Sequence, residues 1–282
     1  MRALAEFIMR GRAQAALVAF FGNLLPLISP ASVSLVTLNK GLSEGALLTL
    51  WALLPLLIAF FVSDINAMVT LSSIVGVIGV MAASELLRIS ASWARTLVFV
   101  VVFSGVAALV LDFLFAEQAE VFELVVANLF REIQQQQENA FIPGRNFLLG
   151  VIGYVIALTS VICLVLGRWW QAMLYNPGGF KSEFHQLRLG VGSAAILVAG
   201  VVVCNVASQE FSSWVGLLGL PLLLGGLALV HYSVTFYQLG SHWLVIFYVV
   251  LFTVSPLSLV LIGLGFLDSI MNIRSRLVRR SQ

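Results

Sequence analysis

The sequence predicts an all-α protein, a polytopic transmembrane helical bundle of about eight to nine membrane helices with proline-broken first and last segments. Three observations predict it. Of 282 residues, 60% are hydrophobic and only 10% are charged, against roughly 45–50% and about 25% in soluble domains. Apolar runs near the length of a membrane span, about 20 residues, recur from one end of the chain to the other. Lipid offers no hydrogen bonds to a bare backbone, so such runs must be helices and not open strands.

Taken in order, the apolar runs are 13–38, 45–62, 65–84, 92–115, 146–167, 189–207, 213–237 and 242–267, all within a single membrane domain, 1–282. The opening MRALAEFIMRGRAQAALVAFFG puts arginines before an apolar stretch, as a signal peptide does. It lacks a small-x-small cleavage pattern and reads as an uncleaved first membrane helix. Run 13–38 contains Pro26 and Pro30, and run 242–267 contains Ser255-Pro256. Proline removes a backbone donor, so a kink, a break or a hairpin is expected at each. Residues 30–39 alone are short for a span and suit a tilted or re-entrant helix.

These breaks set the topology, because cytoplasmic loops carry excess Lys and Arg. With an inside N-terminus and two unbroken runs, the cations divide 9 inside to 6 outside, and breaking only the first run again gives 9 to 6. If both runs turn back, the division is 13 to 2. Charge therefore favours two real breaks, with both termini on the cytoplasmic side of a bacterial inner membrane.

Two segments interrupt the apolar pattern. Residues 116–145 are an amphipathic acidic connecting segment with Glu117, Glu120, Glu123, Glu132 and Glu138 against Arg131 and Arg145. Val121, Phe122, Leu124, Val125, Leu129 and Ile133 recur near helical spacing, so a surface helix on the outer, less anionic face is expected. Gln134 to Gln137 read as its solvated end, and Pro143-Gly144 closes it. Residues 168–189, within RWWQAMLYNPGGFKSEFHQLRLG, form an island that reads as an interfacial NPGG loop with a short amphipathic helix. Trp169, Trp170 and Tyr175 stand where rings collect at the membrane interface. Asn176-Pro177-Gly178-Gly179 is a turn signal. Phe180, Phe184 and Leu187 then form an apolar stripe expected to face the membrane, beside a basic one of Lys181, His185 and Arg188 for headgroups or a partner. The island is either a plain connecting loop or a docking surface for membrane lipid, a phosphorylated ligand or a cytoplasmic protein partner.

Polar residues inside apolar runs are candidates for a site, because burying them is costly. Asn23, Asn205 and His231 are the expected ligand-cavity residues, with Gln14 a further polar side chain. Glu85 and Arg88 should pair at i, i+3, Asp64 in SDIN should cap a helix, and Asp112 lies near an interface. Asp268, Asn272 and Arg274 in GLGFLDSIMNIRSRLVRR are read as structural polar residues, Asp268 capping or pairing with Arg274 or Arg95. Gly76-x-x-Gly79-x-x-x-Ala83 and Ala195-x-x-x-Ala199 permit close helix packing. Cys163 and Cys204 read as packing residues. There is no P-loop, HExxH, GxSxG or paired-cysteine spacing, and His185, His231 and His242 do not cluster in sequence. No catalytic residue, metal site or cofactor is expected. The net charge of +2, without a basic tract, argues against nucleic acid. Nothing in the pattern bears on oligomeric state.

RGRAQA, LVTLNKGLSEG, RWWQAMLYNPGGFKSEFHQLRL, GLALVH and LGFLDSIMNIRSR together resemble the YybS-like family of bacterial inner-membrane proteins, a domain-of-unknown-function family. The likeness runs over nearly the whole chain, and the island and the GLGFLDS ending are its most specific parts. The family's N-terminal half is similar to the substrate-binding S components of energy-coupling-factor transporters, where a short second helix and a glycine-bearing loop follow the first. The stretch from Pro30 to Gly45 reads that way. This chain departs from S components in its extra C-terminal helices, and no vitamin-binding signature carries over. The expected function is S-component-like small-molecule binding or transport. The rival is a non-transporting scaffold or assembly factor that docks through residues 168–189.

Overall fold

A computed structural model describes residues 1–25, 27–63, 66–134, 141–254 and 256–280. The molecule is 89% helix, with no strand among the described residues. Five helices are long and apolar enough to cross a membrane, and up to seven spans result if each of two bent pairs counts as one. These helices are compatible with a multi-pass membrane protein.

The first apolar run is two helices. α1 (Arg2–Arg10) precedes it, then α2 (Arg12–Phe21) ends in a 3-10 turn at Gly22–Leu24, and α3 (Ile28–Lys40) follows. Leu27 at the junction has φ 71, a left-handed conformation that its β-carbon disfavours. Pro30 does not break α3. It lies in the first turn, where a backbone N–H has no intrahelical partner to lose. Pro26 lies outside the described residues. Arg12, at the start of α2, donates from Nε to Glu44 at 3.0 Å, and Glu44 lies just past the end of α3. α2 and α3 thus begin and end at the same end of the bundle.

From there the long helices alternate: α4 (Leu42–Val62), α5 (Ala67–Ser90) and α6 (Trp93–Leu114). The Asn66 side chain caps α5 by accepting the Met68 N–H at 2.9 Å; the expected cap, Asp64, lies outside the described residues. α7 (Ala116–Gln134) is the acidic amphipathic helix, packed through Ala119, Phe122 and Ala127, while Val121, Leu124, Val125 and Leu129 are exposed. Gln135, Gln136, Gln137 and Glu138 lie outside the described residues, as do the side chains of Glu132 and Ile133. α8 (Arg145–Tyr175) returns through the centre, α9 (Gly179–Gln186) is the island helix, and α10 (Val191–Ala207) and α11 (Ser212–Phe236) run away and back.

The last apolar run is again two helices, α12 (His242–Thr253) and α13 (Leu257–Met271), bent by 119° and followed by α14 (Ile273–Arg280). Ser255 in the joint lies outside the described residues. α13 packs on α11 through glycines: a β-carbon at Gly265 would strike the Leu222 carbonyl, and one at Gly226 the Leu261 carbonyl. Dispersion and backbone approach, not hydrophobic expulsion, hold such helices together in lipid.

Candidate ligand-binding site at the arginine-rich end

The C-terminal end of α8 and the short α9 build the site. α8 stops at Tyr175, Pro177 follows, and Gly178 takes φ +87, which a residue with a β-carbon rarely adopts. The Gly179 N–H donates to the Asn176 carbonyl at 2.9 Å and closes the turn. α9 then folds back over the ends of α6, α8 and α11. Phe180 meets Trp93 edge to face at 6.2 Å, Phe184 stacks on Phe180 at 6.0 Å, and Phe184 meets His231 at 5.4 Å. Leu187 is buried.

Under this cover lies a pocket of about 600 Å³. Arg88, Arg168, Arg188, Ser92, Gln171, Glu183 and Gln186 supply its polar lining, and Leu38, Leu87, Trp93 and Leu187 supply apolar surface. Arg88 is held by Glu85 through two hydrogen bonds of 2.9 Å. Arg168 Nε donates to Glu183 at 3.0 Å, and its guanidinium also reaches Gln171. Gln171 donates in turn to the Leu38 carbonyl at 3.3 Å and to Asn39 at 3.2 Å. The Trp93 indole N–H leans on the same Glu183 carboxylate at 3.4 Å. α9 is therefore tied across the pocket by Glu183. Arg188 is exposed, and no carboxylate among the described residues bonds it.

A second tie comes from the other end of the chain. Arg274 donates to the His185 carbonyl at 2.6 Å and to the Leu187 carbonyl at 2.8 Å. Its Nε stands 3.4 Å from the Asp268 carboxylate, which is almost wholly buried. That distance makes an ion pair, but the orientation leaves Asp268 Oδ2 and Arg274 Nε without a hydrogen bond. The other oxygen, Asp268 Oδ1, accepts the Ile273 N–H at 3.0 Å and starts α14. Asn272 between them takes a left-handed φ of 48 and ends α13. Burial pulls the Arg274 guanidinium below its ordinary pKa; Asp268 opposes that and Arg188 adds to it. Burial first, then Lys181, His231 and Arg274, also pull His185 down.

The structure separates the expected cavity residues. Asn23 sits at the α2–α3 junction and donates to the Ala52 carbonyl at 3.0 Å and the Ala19 carbonyl at 3.2 Å. It borders a smaller pocket of about 230 Å³ with Ser72, Ser73 and Thr159. Asn205 is exposed near the far end of α10. His231 hydrogen-bonds Tyr248 at 2.8 Å and joins the island through Phe184. Asn23, at the α2–α3 junction, and His231, against α9, thus stand in different parts of the bundle, and Asn205 is exposed.

The island differs from expectation in two respects. Trp170 is fully exposed to neither water nor lipid: it is 0% accessible, in the core with Cys163 and Leu35, whereas Trp169 is 39% accessible. Phe184 faces protein and not the bilayer, because Trp93 and His231 offer its stripe a partner. Asn176 is an exposed turn residue, Lys181 and Arg188 are exposed, and His185 is half-buried beside Tyr232. Sequence reasoning missed Trp93, Gln171 and Glu183. The i, i+3 spacing of Arg168 and Gln171 at a helix end signals a shared polar face. The bond from Trp93 to Glu183 has no local signal.

Among the described residues no group of three or more His, Cys, Asp or Glu is placed to hold a metal. No protein-family model, no curated protein and no solved structure matches this chain.

Proposed function

We propose that this is a multi-pass protein of the bacterial cytoplasmic membrane that binds a small molecule in the pocket beneath α9. The observation that carries the reading is the pocket itself: a ligand-sized hollow where α3, α5, α6, α8 and α9 meet, with polar side chains from α5, α8 and α9 beside the apolar surface of Leu38, Leu87, Trp93 and Leu187. In this reading α4, α5, α6, α8, α10 and α11 cross the membrane, and the α2–α3 and α12–α13 pairs enter and leave by one face. At about 1.5 Å per residue, the 13 residues of α3 reach roughly 20 Å, short of the roughly 30 Å of hydrocarbon. Every lysine and arginine except Arg131 and Arg145 then belongs to the face that carries the pocket. That bias supports a cytoplasmic orientation. The YybS-like and S-component resemblance belongs to the same reading, supported by the quoted stretches and by the short α3 that follows α2.

The test is native mass spectrometry of the protein released from mild detergent, wild type beside Trp93→Ala. A small-molecule adduct on the wild type that is absent from the variant is expected. A protein free of adducts in every preparation, with no compound from a cell extract raising its unfolding temperature, would count against a binding role.

The rival docking role has one observation in its favour: Lys181 and Trp169 remain accessible on the outside of the island. A photo-crosslinker at Lys181 that captures one cytoplasmic protein, and none when placed at Asn128, is the expected signature of that role.

A further inference from the structure

The pocket's charge does not balance. Three guanidiniums line it, those of Arg88, Arg168 and Arg188, and Glu183 is the one carboxylate among its described lining. Glu85 binds Arg88 from outside the lining, and even with its charge included the site keeps a net positive charge. Arg188 has no carboxylate partner among the described residues. Arginines gathered around one opening repel each other, and their forked donors match the oxygens of phosphate. Beside them, Trp93, Leu38, Leu87 and Leu187 offer an apolar wall. Ser92 and Gln186 add a hydroxyl and an amide.

We propose that the pocket takes a phosphate-bearing ligand with an apolar or aromatic body, and that its phosphate displaces Glu183 from Arg168. This rests on the binding role proposed above and names the ligand class. Glu183 is the carboxylate that occupies Arg168 in the empty site, so an entering anion competes with it directly. Because Glu183 belongs to α9, the exchange also frees one of the two ties that hold α9 down. The Arg274 tie to His185 and Leu187 remains, so α9 tilts about its C-terminal end and stays attached. The phosphate can belong to a soluble ester or to a lipid headgroup, since the pocket lies at the end of the bundle where headgroups would stand.

The experiment uses the full chain in dodecyl maltoside micelles, which contain no phosphate. Binding of 1-naphthyl phosphate is measured by equilibrium dialysis, with 1-naphthol as the uncharged comparison. The phosphate ester is expected to bind and naphthol to bind far more weakly. Arg188→Gln, at an exposed position whose loss leaves the fold intact, weakens the ester about tenfold or more, the usual worth of a charged hydrogen bond. Glu183→Gln, which removes the competitor, tightens it several-fold. Arg95→Gln removes a cation of the same end that does not line the pocket and leaves binding unchanged.

Phosphatidylglycerol added to the micelles distinguishes the two sources. If it displaces the ester, the natural occupant is a lipid headgroup; if it does not, the occupant is a soluble phosphate. Either result supports the phosphate chemistry. Equal binding of ester and naphthol would overturn it, as would an Arg95→Gln loss as large as that of Arg188→Gln. A neutral adduct found by native mass spectrometry would sink the phosphate proposal and leave the binding role standing.

Discussion

Arg274 donates to two carbonyls, those of His185 and Leu187, and pairs by charge alone with the Asp268 carboxylate at 3.4 Å. Tyr232 lies over its guanidinium at 5.9 Å. The pair is buried, so removing one partner strands the other charge away from water. Arg274→Met is expected to lower the unfolding free energy by about 3–5 kcal/mol, read by titration of the protein with a denaturing detergent. Asp268→Leu combined with Arg274→Met should cost less than the two single changes added together, because no charge is then left unpaired. The contrasting case is Arg145–Asp112 at 2.8 Å, where the arginine is 41% exposed. Arg145→Gln should change stability by no more than about 1 kcal/mol in the same titration. Asp268 and Arg274 are six residues apart, close enough for sequence to suggest their pairing. The two carbonyls that Arg274 also holds belong to residues more than eighty positions away, and no local pattern marks them.

Helix α9 shows where reading by pattern stops. The NPGG turn was legible because proline and glycine dictate backbone angles locally. The stripe of Phe180, Phe184 and Leu187 was legible because helical spacing puts them on one face. What that face meets is a tertiary matter, and Trp93 and His231 decide it. The paired tryptophans teach the same lesson. Adjacent residues point about 100° apart on a helix, so one of Trp169 and Trp170 can be buried while the other is not, and composition treats them alike. The apolar runs marked the five long helices and the two bent pairs, fewer candidate spans than the eight to nine expected, because a run of about 20 apolar residues is the length a spanning helix needs. The α11–α13 contact carries its own test. Gly265→Ala sets a methyl group against the Leu222 carbonyl, whereas the Gly263 position has open space around it. Gly265→Ala should destabilise by about 1–3 kcal/mol in the detergent titration, and Gly263→Ala should be close to neutral.

For the molecule as a whole, the proposed orientation rests on where the cations lie. In a variant with Cys163 and Cys204 replaced by serine, a single cysteine at Arg131 should react in intact cells with a reagent that does not cross membranes. A cysteine at Lys181 should react only after the cells are opened. The reverse pattern would put the pocket outside and contradict the proposed orientation. One feature of the fold also bears on how the chain is made. α3 is buried along nine of its 13 residues, including Ser29, Ser32, Ser34 and Thr37. Its cover comes partly from α5 and α8, with Ser84 hydrogen-bonding Ser34 at 2.9 Å and Gly167 packed so close that an added β-carbon would stand 3.0 Å from the Leu35 backbone nitrogen. α8 leaves the ribosome more than a hundred residues after α3. Until then a short, hydroxyl-rich helix has no finished wall on one side and is a poor guest for lipid. In the proposed membrane placement, the wall around this early core piece is complete only once a late one has arrived.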